Sequence, residues 1–317
     1  ILAGTELSGS SDGTGTSANF YYPSEITSDG TNLYIADQNN HKIRQIVIST
    51  GDVTTIAGTG SVGSSNGTGT SASFNYPRGI TTDGTNLYVV DTENHLIRKI
   101  VISTGVVTTL AGTESAGSSD GIGTFASFDT PHGITTDGTN LYLADSNNHK
   151  IRQIIISTGD VTTLAGTGSA GSSNETGNFA SFNYPQGITT DGTNLYVADS
   201  SNHLIRKIVI STGVVTTLAG TGSAGDLDEI GTSARFYYPY GITSDGTNIY
   251  LVGRKNHKIR KIVISSGVVT TIAGTGSVGS SNGAGTYASF NYPRGITTDG
   301  RNLYIADTFN HLIRQIK

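Results

Sequence analysis

The sequence contains no cysteine, methionine or tryptophan, and only 6 prolines among its 317 residues. The lack of cysteine excludes both a disulfide scaffold and a thiolate zinc site. No apolar run approaches the roughly 20 residues that a membrane-spanning helix needs, so we expect no membrane association. The 19 lysines and arginines are outnumbered by 24 acidic residues, and the net charge of −5 does not favour binding to phosphate backbones. We therefore expect no nucleic-acid partner.

The few prolines are spaced with complete regularity. Each follows the one before it by 54 residues, and the Asn-His pairs of the sequence keep the same interval. The prolines are Pro23, Pro77, Pro131, Pro185, Pro239 and Pro293, and the paired histidines are His41, His95, His149, His203, His257 and His311. A period of this size, with four short apolar runs in each unit, is typical of a β-propeller or a solenoid.

One unit, residues 77–113, shows how a repeat is expected to fold. Gly79–Asp83, Leu87–Asp91, Leu96–Ser103 and Val106–Ala111 are β-prone runs separated by Asp-Gly, Asn-His and Thr-Gly turns. A long connection rich in Gly, Ser and Asn then leads to the next proline. The sequence thus predicts an all-β fold, a six-bladed β-propeller of four-stranded antiparallel blades whose apolar faces cover one another. Residues 1–317 then form a single domain.

The two ends of the chain fit closure of such a ring. Leu2–Thr5 repeats Leu110–Thr113, the end of a fourth strand, whereas Lys317 lies within a third strand. We expect residues 1–5, the N-terminal strand, to join and complete the last blade, and we expect this short seam to be the weakest part of the ring. Because the chain opens in the middle of a repeat at Ile1, we expect a processed or excised piece of a longer protein.

The repeat resembles the NHL repeat, which is named after an Asn-His-Leu triplet. The segment Asn194–Ile205 carries a Leu-Tyr-x-Ala-Asp motif followed by Asn202–Leu204, and the spacing from Pro-x-Gly-Ile to Asn-His recurs along the whole chain. This resemblance implies a six-bladed β-propeller. Relatives of this type include protein-binding and RNA-binding modules and metal-dependent lyases, so the resemblance leaves the function open.

Residues that recur in all six units are expected to be structural. We expect the Asn-His histidines to form hydrogen bonds near their turns, and the repeated arginines to form hydrogen bonds between blades. One unit departs from the pattern, because Gly253, followed by Arg254 and Lys255, stands where the other five units have aspartate. An aspartate there accepts hydrogen bonds from the following turn, so its loss predicts an altered turn in blade five.

Positions at which the units differ point to a candidate site. In an up-and-down blade, the residue after each proline and the turn before each Asn-His pair lie on one face of the disc. These positions vary, whereas the turns of the opposite face are nearly constant. The residues after the prolines should ring the mouth of the channel, and they are Ser24, Arg78, His132, Gln186, Tyr240 and Arg294. The variable turns add Arg254, Lys255 and Phe309. Neutral drift in exposed loops is the alternative interpretation.

A concave polar ring of this kind is the default hypothesis for a binding site. Arg78 and Arg294 suit a carboxylate, sulfate or phosphate group, and Tyr240, Tyr238 and Phe309 offer stacking faces. We predict a binding scaffold without catalytic residues that holds a protein, peptide or glycan. A metal-dependent lyase-like enzyme of the NHL type is the first alternative. Only one histidine, His132, is expected at the channel, so the sequence predicts no metal site and no cofactor.

Two further alternatives compete with a binding scaffold. A designed or recently amplified repeat protein with no specific ligand is suggested by the close similarity of the units to one another. RNA binding requires a broad basic face, and only the fifth unit is locally basic. The surface, rich in Ser, Thr, Gly and Asn, favours a secreted or cell-surface protein, and we expect a monomer.

Overall fold

Each repeat unit folds into one antiparallel sheet, and the six sheets stand around a common axis. The computed structural model describes residues 1–317. The innermost strand of every sheet contacts the innermost strands of the two neighbouring sheets, and the last sheet contacts the first, so the ring is closed. The second strands are buried on both faces because a neighbouring blade covers each side. This burial explains their nearly continuous apolar sequences.

From the axis outward, the strands of each blade follow one another in chain order. The innermost strands are Pro23–Ser28, Pro77–Thr82, Ile134–Thr136, Pro185–Thr190, Pro239–Ser244 and Ile296–Thr298. The second strands are Asn32–Asp37, Asn86–Asp91, Asn140–Asp145, Asn194–Asp199, Asn248–Gly253 and Leu303–Asp307. The third strands are Lys42–Val47, Leu96–Val101, Lys150–Ile155, Leu204–Val209, Lys258–Val263 and Leu312–Ile316. The fourth strands, in blades one to five, are Asp52–Ala57, Val106–Ala111, Asp160–Ala165, Val215–Ala219 and Val269–Ala273.

The long connections carry short elements of their own. Two-residue strands occur at Gly13–Thr14, Gly67–Thr68 and Gly121–Ile122. Single 3-10 turns occur at Gly15–Ser17, Gly69–Ser71, Gly123–Phe125, Gly177–Phe179, Gly231–Ser233 and Gly285–Tyr287. Four of the turns between second and third strands are also 3-10, at Gln38–Asn40, Thr92–Asn94, Ser200–Asn202 and Thr308–Asn310. The structure has no helix with the length and apolar character needed to span a membrane.

The blades are not uniformly four-stranded, which corrects the predicted detail. The sheets of blades one to three have five strands, those of blades four and five have four, and that of blade six has three. The fifth strand forms because the connection runs along the outer edge of the sheet, where it pairs with backbone groups that an edge strand leaves free. The N–H of Gly69, for example, donates to the carbonyl oxygen of Gly105 at 2.8 Å. The connections therefore reach both faces of the disc.

Blade six is closed by the N-terminal segment. The N–H of Ile313 donates to the carbonyl oxygen of Ala3 at 2.9 Å, and the N–H of Leu2 donates to the carbonyl oxygen of Ile313 at 2.8 Å. This single bridge stands where blades one to five pair their third and fourth strands at four positions. The apolar core between blades five and six accordingly contains 8 buried residues, compared with 11 between each other pair of neighbouring blades. Residues 314–316 have no strand beside their outer edge.

A buried aspartate–arginine pair holds each regular blade to the connection that precedes it. In blade four, Arg206 Nη1 donates to Asp199 Oδ2 at 2.9 Å and to the carbonyl oxygen of Ser181 at 3.0 Å. Both charged side chains are fully buried, and the guanidinium carbon lies 5.2 Å from the ring centroid of Phe182. Buried charges are stable only when they are paired and hydrogen-bonded. These arginines therefore act within a blade and its connection, and the predicted bonding between blades is wrong.

The Asn-His histidines link each blade to the next. The imidazole Nδ1 accepts a hydrogen bond from the backbone N–H of the residue before the following proline, at 3.1 to 3.3 Å in all six cases. The last link crosses the seam from Tyr22 to His311. Partial burial lowers the pKa of five of these histidines and so favours the neutral imidazole that can accept. The histidines are structural, but the hydrogen bonds of their side chains reach the neighbouring blade and not their own turn.

Blade five compensates for its missing aspartate. Asn256 Oδ1 replaces the carboxylate as the acceptor for the backbone N–H two residues before the proline, at 3.0 Å. Arg260 pairs instead with Asp226 and Asp228 of the preceding connection. His257 keeps the left-handed backbone of the other histidines, with φ of 53°. The turn is nevertheless altered, because the N–H of Asn256 donates to the carbonyl oxygen of Gly253 at 3.0 Å, whereas in the other five blades the histidine N–H donates to the first residue of the turn. It contains no 3-10 element, which blade three also lacks.

Some of the buried arginines contact a second aspartate and others do not, and this difference allows a matched test of the buried aspartate–arginine pair. In the variant Asp199→Gly, Arg206 has no second acid nearby, and we expect the free energy of unfolding to fall by about 3–5 kcal/mol, the usual effect of an uncompensated buried charge. Asp145→Gly makes the same change in blade three, where Arg152 keeps Asp120 at 2.7 Å. The loss there should be roughly half as large. Urea denaturation measures both values, and equal losses would contradict the role assigned to the buried charge.

The open edge of blade six predicts a local difference in backbone protection. The amides of Leu312–Ile316 should exchange with deuterium about tenfold faster than those of Leu204–Val209, because one bridge replaces four paired positions. Hydrogen–deuterium exchange followed by mass spectrometry of peptides measures the two rates. If both strands were equally protected, the seam would be as stable as the other interfaces.

Candidate functional site

The residues that follow the prolines converge on a pocket at one end of the axis. The pocket has a volume of about 330 Å³, which lies within the range of small-molecule sites. It is lined by Arg78, His132, Tyr184, Gln186, Ser200, Ser201, Tyr238, Tyr240, Arg254 and Arg294. The innermost strands begin at this end of the axis, so side chains from five blades meet in one place. We call this pocket the channel mouth.

His132 lies at the centre of the channel mouth, between Arg78 and Tyr240. Arg78 Nη1 can only donate a hydrogen bond, so the imidazole Nε2 that it contacts is the acceptor. The proton of the neutral imidazole is then on Nδ1, which lies 3.2 Å from the Tyr240 hydroxyl oxygen. Burial lowers the pKa of His132 well below its usual value, and the positive charges of Arg78, Arg294 and Arg254 lower it further. The imidazole is therefore neutral at physiological pH.

Two arginines of the channel mouth keep unused hydrogen-bond donors. Arg294 Nη1 donates to Gln38 Oε1 at 2.5 Å, and its Nη2 forms no hydrogen bond within the protein. The guanidinium carbon of Arg254 lies 5.3 Å from the ring centroid of Tyr240, and no nitrogen of its guanidinium group forms a hydrogen bond within the protein. Among the mouth arginines, Arg78 forms an ion pair, with Glu93 at 3.2 Å. The arrangement is a cationic pocket in which two guanidinium groups keep donors for a ligand.

The position of Arg254 follows from the irregularity of blade five. At the equivalent position, blades two, three, four and six have a serine or threonine whose hydroxyl donates to the carbonyl oxygen of the next blade's proline. Ser146 Oγ, for example, lies 2.5 Å from the oxygen of Pro185. Arginine makes no such bond, and its long side chain extends over the ring of Tyr240 instead. The regular link between two blades is thus replaced by a free cation.

Six of the nine predicted site residues line the channel mouth: Arg78, His132, Gln186, Tyr240, Arg254 and Arg294. The other three do not, which corrects the predicted set. Ser24 is fully buried. The Nζ of Lys255 lies over the ring of Tyr292 at 5.2 Å, and Phe309 packs against the same ring at 5.0 Å. Lys255 and Phe309 are held outside the pocket by their contacts with Tyr292, although the equivalent residue of blade four, Ser201, lines it.

Four residues of the channel mouth are not among the nine predicted site residues: Tyr184, Tyr238, Ser200 and Ser201. Of these, Tyr238 was expected only as a stacking face. The tyrosines precede their prolines, where the four remaining units also carry tyrosine or, once, threonine. Because five of the six units carry tyrosine at this position, a comparison of the units does not single it out as a candidate site position. Both rings pack edge-on against Asn-His histidines, with centroids 4.8 and 4.9 Å apart, so the contact that links two blades also forms the wall of the pocket.

Beyond the mouth, the axial channel contains a small chamber with one carboxylate. The chamber has a volume of about 70 Å³ and is lined by Glu25, at a position where the other five units have glycine. A Cβ at any of those glycines would lie closer than 3.0 Å to a backbone carbonyl oxygen of the next blade. Burial raises the pKa of Glu25 to about 8, while nearby Arg294 acts in the opposite direction. The departure from Pro-x-Gly-Ile is visible in the sequence, although Glu25 was not among the predicted site residues.

Six antiparallel sheets closed around one axis define a six-bladed β-propeller. The model of the NHL repeat matches residues 74–100 and 182–208. NHL repeat-containing protein 2 of Gallus gallus, Bos taurus and Homo sapiens is 30 to 31% identical over 92% of this chain. The chain therefore belongs to the NHL-repeat family. It spans 46% of the length of these relatives.

Solved structures share the fold at lower identity. A protein of unknown function from Bacteroides thetaiotaomicron superposes with a TM-score of 0.74 at 23% identity, over 99% of this chain and 74% of that one. Streptogramin B lyase superposes with a TM-score of 0.58 at 14% identity, over 97% of this chain and 86% of that one. The channel mouth contains a single histidine, and no group of three or more His, Cys, Asp or Glu is placed to hold a metal ion. At 14% identity, the likeness to the lyase shows the fold alone.

The channel carboxylate predicts a pH-dependent stability. The folded-state pKa of Glu25, about 8, lies above its ordinary value of 4.5, so the unfolded chain releases this proton first as the pH rises. The wild-type protein should lose stability between those two values and lose no more at higher pH. Glu25→Gln removes the ionisation, so the variant should nearly match wild type at pH 5 and exceed it by about 2–4 kcal/mol at pH 9.

Urea denaturation in a buffer that contains a chelator measures this difference at both pH values. Equal stability of the two proteins at pH 9 would show that the carboxylate of Glu25 is well solvated in the folded state.

Proposed function

We propose that this propeller is a binding scaffold whose channel mouth holds an anionic group of a protein, peptide or glycan. The observation that carries the proposal is the guanidinium group of Arg254, which lines the pocket and forms no hydrogen bond within the protein, beside that of Arg294, which forms one. A hydrogen bond that involves a charged group contributes about 1.5–3 kcal/mol. A ligand oxygen in the pocket would supply acceptors for these donors.

The chemistry of the donors indicates which group fits. A guanidinium offers a planar fork of N–H groups that matches the oxygens of a carboxylate, sulfate or phosphate. The Tyr240 hydroxyl adds a further donor, since its oxygen accepts from His132 Nδ1 and its own proton is free for a ligand. Because His132 is neutral and both of its nitrogens are engaged, it serves to position Arg78 and Tyr240. We infer no step of acid–base chemistry for it.

The rim of the pocket suits a group attached to a flat or ring-shaped body. Tyr184 is 44% exposed, and together with Tyr238 it forms one wall of the mouth. Exposed tyrosines supply an apolar face and a polar tip, a combination common where proteins contact one another or a ligand. The hydroxyl of Ser201 adds hydrogen-bonding capacity, whereas that of Ser200 already donates to the carbonyl oxygen of Pro239. The remainder of a large ligand would extend over the variable face of the disc.

The repeats themselves supply conservative variants for a test. Arg254→Ser places in blade five the residue of blades three and four, and Arg294→Gln places in blade six the residue of blade four. We expect each change to weaken the binding of sulfate, phosphate and citrate about tenfold or more, since a charged hydrogen bond contributes about 1.5–3 kcal/mol. Isothermal titration calorimetry with these three anions at low ionic strength measures the affinities.

The controls separate a specific site from general attraction. Lys99→Ala, on a third strand away from the axis, removes the same charge and should change the affinity less than twofold, as expected for a distant screened charge. Melting temperatures of all variants should remain close to wild type. Weakening by Lys99→Ala equal to that caused by Arg254→Ser, or wild-type protein that binds none of the anions, would refute the proposed site.

A further inference from the structure

Glu25 lies on the axis in the layer of residues next to the arginines of the channel mouth. It follows Ser24, whose equivalents in blades two and six are Arg78 and Arg294, and its side chain lines the axial chamber. A Cβ added to Gly295, the residue after Arg294, would lie 2.7 Å from the Cα of Glu25. The closure of blade six against blade one therefore places an acidic residue directly beside the backbone of a mouth arginine.

The carboxyl group of Glu25 is close to neutral pH in its titration because two effects oppose each other. It forms no hydrogen bond within the protein, and Arg294 directs its Nη1 to Gln38 and not to this group. Burial favours the protonated form and raises the pKa to about 8, while the positive charge of Arg294 favours the ionised form. The chamber of about 70 Å³ has room for only a few water molecules around the ionised carboxylate.

An anion at the channel mouth would change this balance. Bound to Arg294, it would offset the positive charge that favours the ionised carboxylate, and it would add negative charge near the axis. Both effects favour the protonated form of Glu25 and raise its pKa. Coupling between two binding equilibria is reciprocal, so ionisation of Glu25 weakens anion binding by the same factor.

Other ionisable groups surround Glu25 on the neighbouring strands and turns, and these are Arg78, His132, Tyr240, Arg254, Arg294 and Glu93 at the mouth and Asp37 and Asp307 on second strands. The arginines keep their charge across the physiological range. Burial lowers the pKa of His132 well below its usual value, so this residue is already neutral. Asp37 and Asp307 are paired with arginines of the third strands, away from the axis.

The end of the channel opposite the mouth carries negative charge that does not change near neutral pH. Each innermost strand ends in an Asp-Gly turn, and the six aspartates are Asp29, Asp83, Asp137, Asp191, Asp245 and Asp299. Partial burial acts to raise their pKa values, but hydrogen bonds from the backbone, asparagine and tyrosine of the same turn outweigh it. The pKa of Asp299 falls to about 2. All six are ionised at neutral pH and contribute a constant field.

We propose that anion binding at the channel mouth is coupled to proton binding by Glu25, so that the propeller releases its anionic ligand as the pH rises. This inference rests on the proposed anion site and adds its regulation by pH. The sign follows from the protonated form, which leaves the charge of Arg294 available to the ligand. Affinity should be constant at low pH, fall as the pH passes the pKa of Glu25 in the free protein, and level off above the raised pKa of the complex.

Calorimetric titration with sodium sulfate at constant ionic strength, between about pH 6 and pH 9.5, tests the coupling. Sulfate is suitable because its own charge does not change in this range. We expect the affinity of wild-type protein to fall about tenfold across the range, which is within the usual extent of coupling between two sites. Glu25→Gln has no ionisation at this position, so its affinity should match wild type near pH 6 and change less than twofold.

The number of protons taken up on binding provides an independent measurement. If sulfate raises the pKa of Glu25 tenfold in terms of the proton equilibrium, wild-type protein should take up about 0.4 proton per sulfate at pH 8 and close to none at pH 6. Titrations in buffers of different ionisation enthalpy give this number. Glu25→Gln should take up close to none at either pH, and its melting temperature at pH 6 should match wild type.

A matched control separates Glu25 from the other acid near the mouth. Glu93→Gln removes the carboxylate that pairs with Arg78 and should keep the pH dependence of wild type. Any contribution from Tyr240 would remain in Glu25→Gln. If both wild type and Glu25→Gln bound sulfate with the same pH dependence, the coupling would be refuted and the anion site would stand. A wild-type protein that bound no sulfate at any pH would refute both proposals.

Discussion

The hydrogen bond from the backbone of one blade to the histidine Nδ1 of the preceding blade is the interaction on which the rest of the structure depends. A single blade has bare edges and two apolar faces, and hydrophobic contact alone does not fix the angle between neighbours. The histidine link is directional, occurs six times, and crosses the seam between Tyr22 and His311. It binds the residue just before each proline. It thereby fixes where each innermost strand begins and brings the residues after the prolines together at the axis.

The proposed function depends on positions at which one repeat departs from the sequence pattern of the others. At Gly253 the regular aspartate is lost, and the neighbouring Arg254 gives up the link that serine or threonine makes in four other blades. The fold tolerates this because Asn256 takes over one hydrogen bond and two aspartates of the connection balance Arg260. Glu25 departs from the pattern in a similar way, at a position that otherwise requires glycine. Natural proteins violate local rules chiefly at functional sites and compensate elsewhere.

The net charge of −5 conceals a strong separation of charge along the axis. Three arginines lie at the channel mouth, of which Arg78 forms an ion pair with Glu93, whereas six ionised aspartates surround the opposite opening. Fields of this kind attract ligands of opposite sign to the two faces. The aspartates also have a structural role, since each accepts hydrogen bonds within its own turn. The guanidinium group of Arg254 forms no hydrogen bond within the protein, and this difference separates the candidate anion site from ordinary turn chemistry.

The sequence by itself determined the number of blades, the order of their strands and the turns between them. The reason is that each unit encodes its apolar runs and its Asp-Gly and Asn-His turns locally, and the constant interval repeats them. The variation between units also indicated which face to examine and six of the residues that meet there. Only the tertiary structure decided that Arg254 enters the pocket while Lys255 and Phe309 do not, that the blades differ in strand number, and that Glu25 lines the axial chamber. These features depend on distances across the axis between residues in different repeats, and no local pattern records those distances.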